Sequence, residues 1–339
     1  MSPHADAIRL QLAKGPMQVR QLVEIIGISQ PTVSRAMAAL GDEVIRIGSG
    51  RSIQHALRDR LRGLDEVPVC RISAEGTLRE LGVLVPVRPD GYVMRQSDGQ
   101  TIHSDGLPWW LFDMRPQGYL GRAYANRHAT LLGLPSQLHE WSDTHALHAL
   151  LAHGHDAVGN VLLGERARAA FLSQPAPEPV AEDDKASCYA RLAEEASRGE
   201  MPGSSAGGEQ PKFLVFAQTS AGPRHLIVKF TVAEDSPVSM RWRDLLLAEH
   251  LALECLRLAG LPAAQTRVVD AASRRFLEVE RFDRVGALGR RGVFSLKALD
   301  AEFVGAGQGW TSIASALAKA RHIDPLAVDQ VALLQAFGV

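Results

Sequence analysis

The chain has 339 residues and a formal net charge of −1, which excludes a polycation that coats nucleic acid along its whole length. Hydrophobic residues make up 46% and charged residues 22%, so the composition is that of an ordinary globular protein with two or three domains. No apolar run is long enough to cross a membrane, and the sparse cysteines form no C-x-x-C pair, so we expect a cytoplasmic protein without a zinc ribbon.

The charge is distributed unevenly along the chain. Residues 1–62 contain nine Lys/Arg and five Asp/Glu, a net charge of +4, whereas the remaining residues have a net charge of −5. A basic N-terminal module on an acidic body indicates a small head that binds nucleic acid.

The first 62 residues predict a winged helix-turn-helix. Helices are expected at about 4–13 and 18–26, and a third begins at Ser29 as its N-cap, with Val33, Met37 and Leu40 facing a core. The run VIRIGSGRSIQHAL has two alternating segments joined by Gly-Ser-Gly, which is typical of a hairpin. The alternative is a small helical domain that binds protein. If the head binds DNA, the residues at the start of the third helix and the hairpin tip reach bases and phosphates: Ser29, Gln30, Thr32, Ser34, Arg35 and Arg51.

Residues 67–170 mix short strands and helices, and two features stand out. The adjacent tryptophans of LPWWLFDMRPQGYLGRAY predict a core corner where large rings pack. The run THALHALLAHGHD holds four histidines, a composition that can bind metal, but no matching carboxylate or cysteine set accompanies them. We therefore expect no metal site, with the first two histidines on a helix surface.

The stretch GSSAGGEQPKF, Gly203–Phe213, is either a solvated linker or a loop that wraps phosphate groups. Before it, residues 173–202 predict a solvated connection followed by a helix at Lys185–Ser197. After it, KFLVFAQ and HLIVKFTVA predict a hairpin whose second strand places Lys229 among apolar residues, where an unpaired ammonium is unfavourable.

The following helix offers a partner for this lysine. Its spacing predicts an apolar stripe that faces the core, namely Leu245, Glu249, Ala252 and Leu256, with His250, Glu254 and Arg257 on the opposite face. Glu249 and Lys229 would then neutralise each other. A glycine loop, a strand lysine and a helix glutamate are the parts of a kinase nucleotide site. The alternative is an ordinary buried ion pair beside a linker.

The segment RRFLEVERFDR, Arg274–Arg284, predicts a strand that ends in a charged turn. We expect an edge strand whose free backbone hydrogen-bonds a nucleobase.

These segments resemble the HipA-like serine/threonine kinases of bacterial toxin–antitoxin systems. The resemblance lies in the loop SSAGGEQPK, the strand IVKF, the helix with Glu249 and the motif VERFDR. LPWWLFDMRPQGYLGR also resembles a piece of that family's N-terminal subdomain. The head is similar to that of the YjjJ-like subgroup, which carries its own helix-turn-helix. The resemblance to the kinase family covers about residues 70–339. The resemblance to the YjjJ-like subgroup also covers the head.

The resemblance implies an ATP-dependent protein kinase that uses Mg²⁺, acts on a protein substrate and has an antitoxin partner. It implies that Ser205 is autophosphorylated. It also implies a set of residues that bind the nucleotide: Ala206, Gly207, Gly208, Glu209, Lys229, Glu249, Glu280 and Phe282. The implied fold is α+β. A winged helix-turn-helix (1–62), a HipA N-terminal subdomain (63–172), and a linker with a short helix (173–202) precede a kinase-like lobe (203–339) with the start of a helical C-lobe.

The chain departs from the family in its last third. The family's catalytic aspartate is followed shortly by an asparagine, but no Asn occurs after Asn160, and Asp324 and Asp329 lie on or before a predicted helix. The sequence is therefore expected to lack the catalytic base and the Mg²⁺ ligands, either as a fragment or as an inactive kinase. Three hypotheses stay open: a HipA-type kinase, a DNA-binding regulator whose body senses nucleotide or a partner, and a protein–protein module with a decayed nucleotide site.

Overall fold

The computed structural model describes residues 3–199, 208–307 and 309–338, and of Arg51 only the backbone. The predicted phosphorylation residue Ser205 and the predicted loop residues Ala206 and Gly207 lie outside the described residues. None of the described helices is both long and apolar enough to cross a membrane.

The N-terminal head contains the three helices and the hairpin expected from the sequence. They are α1 (Pro3–Leu12), α2 (Val19–Ile26), α3 (Gln30–Leu40) and the antiparallel strands β1 (Val44–Ile47) and β2 (Gln54–Leu57). Helix α2 ends at Gly27, whose φ of 74° lies in the left-handed region that glycine tolerates. Val33 and Leu40 are buried as expected, and Met37 is half-buried. Ser29 is the N-cap residue of α3, as expected, but its side chain bonds the Thr32 hydroxyl at 2.9 Å instead of a backbone N–H.

The middle unit is a five-stranded antiparallel sheet with helices packed on it. Its strand order is β6-β5-β4-β3-β7, and its core cluster includes Leu84, Tyr92, Leu111 and Leu147. The elements are β3 (Val67–Ile72), β4 (Leu78–Val87), β5 (Gly91–Gln96), β6 (Thr101–Ser104), α4 (Gly118–His128), α5 (Asp143–His153), β7 (Val161–Leu163) and α6 (Gly164–Ser173).

The hairpin of the head lies directly on the middle unit. Ile45 and Ala56 of the hairpin share one buried cluster with Val85 and Val93 of β4 and β5. Burial of such apolar side chains is worth about 1.5–3 kcal/mol for each one that is fully buried. The head is therefore docked on the sheet, and its orientation is fixed relative to the middle unit.

The C-terminal sheet is antiparallel with the order β10-β11-β9-β8. Its elements, with the helices beside it, are α7 (Lys185–Ser197), β8 (Lys212–Thr219), β9 (Gly222–Phe230), α8 (Pro237–Leu258), β10 (Thr266–Ala271) and β11 (Arg274–Glu280). The predicted helix Lys185–Ser197 and the predicted hairpin are confirmed. Leu226, Val228 and Phe230 of β9 pack against α7. Lys229 alternates with them and points to the other face, where α8 lies.

Short elements complete the chain: the hairpin β12 (Arg284–Val285) and β13 (Gly289–Arg290), and the helices α9 (Leu296–Phe303), α10 (Trp310–Lys319) and α11 (Leu326–Phe337). Trp109 of the predicted ring corner contacts Phe294 and Phe303, with ring centroids 5.0 and 5.2 Å apart. The tryptophans are half-buried, and Trp109 joins the middle unit to α9.

Two expectations for the C-terminal sheet were wrong. Leu245 and Ala252 of the predicted stripe on α8 are exposed, whereas Leu246 is buried and His250 bonds the Thr266 hydroxyl at 2.8 Å. Leucines surround this helix, so the sequence period cannot select its buried face. Strand β11 is a central strand, not an edge, because β10 pairs with it on one side and β9 on the other.

The connection before α7 is mostly exposed, as expected, and Val180 within it forms a parallel bridge with Ala217 of β8. Lys185, at the start of α7, is 1% exposed and donates to Glu278 at 2.7 Å, which fixes the helix to the sheet.

Candidate functional site

Two lysines and one glutamate lie together on the α8 face of the C-terminal sheet. The Nζ of Lys229 donates to Oε1 of Glu249 at 2.5 Å, so the ion pair predicted from the sequence is present. Their side chains are 21% and 30% exposed, which is less burial than the sequence suggested. Lys212 is the register partner of Lys229 on the adjacent strand and is only 2% exposed.

Lys212 is not among the site residues predicted from the sequence. The signal that could have found it is the pairing of the hairpin, since cross-strand partners present their side chains on the same face. Burial, with the nearby charge of Lys229 as the second cause and Glu249 as a partial offset, lowers the pKa of Lys212 to about 8. Two ammonium groups and one carboxylate leave a net charge of about +1 at neutral pH, an arrangement that suits a polyanion such as a phosphate chain.

The described end of the glycine loop is held over these lysines by the middle unit. The Nζ of Lys212 donates to the Gly208 carbonyl at 3.1 Å, and the N–H of Tyr119 donates to the same carbonyl at 3.1 Å. Glu209 forms an ion pair with Arg122 of α4. Gly118 has a φ of 60°, and a Cβ there would lie 2.6 Å from the Gly208 oxygen. Gly208 has a φ of 94°, so both positions where α4 meets the loop favour glycine.

The two predicted nucleobase residues follow the end of β11. The N–H of Glu280 donates to the Gln265 carbonyl at 2.9 Å, so a nucleobase contact there would use the carbonyl oxygen of Glu280. The ring of Phe282 is 69% exposed. Glu280 lies three positions beyond Leu277, which is opposite Lys229, so the strand separates the predicted base and phosphate contacts by about 10 Å.

The charged residues of the RFDR motif lie behind this strand end and have a structural role. Arg281 donates to both carboxylate oxygens of Asp283 at 2.9 and 2.8 Å, and Arg284 donates to Asp283 at 2.6 Å. The N–H of Gly159 also donates to Asp283 at 3.0 Å. Burial opposes the charge of Asp283, but the two arginines outweigh it and lower the pKa of this carboxyl group. The motif therefore joins the middle unit to the C-terminal sheet.

The predicted DNA-contact residues occupy the start of α3. Ser29, Gln30, Ser34 and Arg35 are exposed and Thr32 is half-buried, while the side chain of Arg51 lies outside the described residues. The guanidinium of Arg35 lies 3.4 Å from the Thr32 hydroxyl. This end of the helix is thus polar and accessible, as the helix that enters a groove must be.

The histidine-rich segment forms no metal site in the part of the chain that the structure describes. No group of three or more His, Cys, Asp or Glu side chains there could hold a metal ion. The ring of His153 accepts or donates a hydrogen bond with the Tyr124 hydroxyl at 2.8 Å and contacts the ring of His128. His145 and His148, expected on a helix surface, are half-buried on α5.

Comparisons with known proteins match three segments of the chain. Residues 8–43 match the model of the bacterial regulatory protein, arsR family; residues 63–172 match the YjjJ-like toxin, middle domain; and residues 204–337 match the HipA-like C-terminal domain. The chain is 37% identical over 329 residues to Toxin YjjJ of Escherichia coli (strain K12), an alignment that covers 96% of this chain and 74% of that protein.

Proposed function

Because this chain belongs to the family of YjjJ-like toxins and has a HipA-like C-terminal domain, we propose that it binds ATP on the C-terminal sheet and DNA through its head. The observation that carries the ATP proposal is the placement of Lys212 and Lys229 side by side on adjacent strands, with Glu249 bonded to Lys229. Two neighbouring ammonium groups suit the oxygens of a phosphate chain.

The arrangement of the site gives each residue a role in binding. Lys212 and Lys229 contact the phosphates, and Glu249 holds Lys229 in place. The loop up to Gly208 and Glu209 covers the phosphates from the side of α4. The base lies toward Glu280 and Phe282, about 10 Å away along the strand, which is within the reach of a nucleotide.

Mg²⁺ that accompanies ATP neutralises phosphate charge and is held largely by the phosphates themselves. The described residues include no group of three or more His, Cys, Asp or Glu that could hold it without the nucleotide. We propose that a polypeptide of these 339 residues binds ATP without transferring its phosphate. Incubation with radiolabelled ATP is expected to leave Ser205 unmodified, and phosphate on Ser205 would overturn this part of the proposal.

ATP binding is tested by a thermal shift of the whole chain. ATP is expected to raise the melting temperature of the wild type, and Lys229→Met is expected to abolish that rise because a phosphate contact is lost. Lys319→Met removes the same charge from an exposed position and serves as the matched control. An unchanged rise in Lys229→Met would place the nucleotide elsewhere.

A second function, DNA binding by a regulator, is favoured by the exposed polar start of α3. The whole chain is expected to bind duplex DNA with an affinity that falls steeply as salt rises, since phosphate contacts release counterions. Absence of binding at low salt would remove this function. By analogy with the relative named a toxin, we also propose an antitoxin and a protein substrate as partners.

A further inference from the structure

A second cavity lies behind the end of β11, away from the two lysines. Its volume is about 310 Å³, and it is enclosed by the β8–β9 hairpin, residues 174–177, the β12–β13 hairpin and residues 155–156 of the middle unit. Arg281, Arg284 and Arg290 line it, whereas Lys212 and Lys229 do not. The cavity is therefore separate from the proposed ATP site.

The charges around this cavity do not balance. Arg281 is paired with Asp283, and Arg284 is paired with Asp283 at 2.6 Å and with Asp156 at 2.7 Å. With Arg290, three guanidinium groups face two carboxylates. The surplus positive charge is that of Arg290, which makes no ion pair with any described residue.

Arg290 is buried and incompletely bonded. It is 4% exposed, and its Nη2 donates to the carbonyl of His155 at 2.6 Å. Its guanidinium also lies over the ring of Phe171, 5.3 Å from the centroid. Its Nη1 is buried and has no hydrogen-bond partner among the described residues. Burial, with the charge of Arg284 as the second cause, lowers the pKa of Arg290.

A buried cation without a counter-charge is unfavourable, and water can bond Nη1 without neutralising the charge. The remaining polar groups of the cavity do not help. Asp156 is engaged by Arg284, and the Nε2 of His225 is bonded to the Ala287 carbonyl at 2.9 Å. The group that would complete this site is an anion with oxygen acceptors in the plane of the guanidinium.

We propose that this cavity binds a phosphate oxyanion, inorganic phosphate or the phosphate group of a small ester, through the guanidinium of Arg290, which lines it. The anion neutralises the surplus charge of the arginine cluster. Leu214, Phe216 and Pro175 line the same cavity and give an ester's carbon skeleton an apolar wall. The bound anion then stabilises the junction between the middle unit and the C-terminal sheet.

The test is a thermal shift of the whole chain with inorganic phosphate, compared with chloride at equal ionic strength. Phosphate is expected to stabilise the wild type and Lys229→Met equally, which separates this site from the lysines of the ATP site. Stabilisation is expected to disappear in Arg290→Gln and to persist in Arg291→Gln, which removes a neighbouring exposed charge. A full shift in Arg290→Gln, or loss of the whole shift in Lys229→Met, would overturn the proposal.

A second measurement covers the case in which Arg290→Gln does not fold. Crystals of the wild type soaked in selenate are expected to show an anomalous peak in this cavity, within hydrogen-bond distance of the Arg290 guanidinium. No peak there refutes the site. Titration with glycerol phosphate in place of inorganic phosphate shows which ligand the cavity prefers. Tighter binding of the ester would mean that its carbon skeleton contacts the apolar wall. Equal binding would mean that the cavity recognises the phosphate ion alone.

Discussion

The affinity of this protein for ATP should fall as pH rises through 8, because Lys212 loses its charge there. Burial and the neighbouring Lys229 lower the pKa of Lys212 to about 8, from an ordinary value of 10.5. The ammonium is therefore about 90% protonated at pH 7 and about 10% protonated at pH 9. The phosphates of ATP, with a last pKa of about 6, change little over this range.

The magnitude follows from the two pKa values of Lys212. A bound phosphate chain favours the charged form and restores the pKa of Lys212 toward 10.5, so the complex stays protonated at pH 9. The free protein must then take up a proton on binding at pH 9 but not at pH 7. The dissociation constant is expected to rise about tenfold from pH 7 to pH 9, or about 1.4 kcal/mol.

The same pKa shift has the opposite effect on the stability of the ligand-free protein, which should rise with pH. The lowered pKa means that charged Lys212 opposes folding of the ligand-free protein below pH 8. This penalty is relieved as pH rises from about 8 toward 10.5, where the unfolded chain holds more protons than the folded one. Unfolding of the wild type and of Lys212→Met, compared at pH 7 and pH 9.5, should therefore show a difference that shrinks at the higher pH.

The assay is isothermal titration calorimetry with ATP between pH 7 and pH 9. Lys212→Arg keeps a positive charge throughout this range, so its affinity should be independent of pH. Lys212→Met should bind more weakly at pH 7 and also show no pH dependence. If both variants still lose ATP affinity tenfold between pH 7 and pH 9, the group that titrates is not Lys212, and the role given to Lys212 is refuted.

Three further predictions concern other parts of the molecule. Lys185→Met should lower the free energy of unfolding in urea by about 3–5 kcal/mol, since it leaves Glu278 charged and buried. Adding Glu278→Gln should restore more than half of that loss; no recovery would mean that the pair is not the cause. Gly118→Ala should weaken ATP binding and lower the unfolding free energy by about 1–2 kcal/mol, because its φ is left-handed and its Cβ meets Gly208. An unchanged ATP affinity would show that the loop end does not matter. Arg35→Ala should reduce the slope of log K for DNA binding against log salt concentration by about one, because one phosphate contact is lost. An unchanged slope would show that Arg35 does not contact a phosphate.

Much of the local structure was predictable because local signals decide it. Helix α7 has the predicted bounds, and Gly27 ends α2 as expected. The pairing of Lys229 with Glu249 was predictable for a different reason. Each is a charged residue in an apolar setting, and a buried charge needs a partner whatever the wider fold.

The errors arose where the answer depends on neighbours distant in sequence. The position of β11 in the sheet is set by β10 and β9, and no residue of β11 itself encodes it. The buried face of α8 is ambiguous, because leucines occur on all its sides. Lys212 was overlooked because its importance comes from facing Lys229 across the hairpin. The unbalanced Arg290 depends on residues more than a hundred positions away.

The middle unit connects the two proposed binding sites physically. The wing of the head shares a buried cluster with β4 and β5, and α4 of the same unit contacts the loop end at Gly208. A packed interior transmits strain, but coupling between distant sites needs an element with two discrete arrangements. The backbone of Gly208 lies close to Gly118, where a Cβ would be 2.6 Å from the Gly208 oxygen, so α4 and the loop end are in direct contact. If ATP changes DNA affinity through this contact, then by reciprocity DNA changes ATP affinity by the same factor.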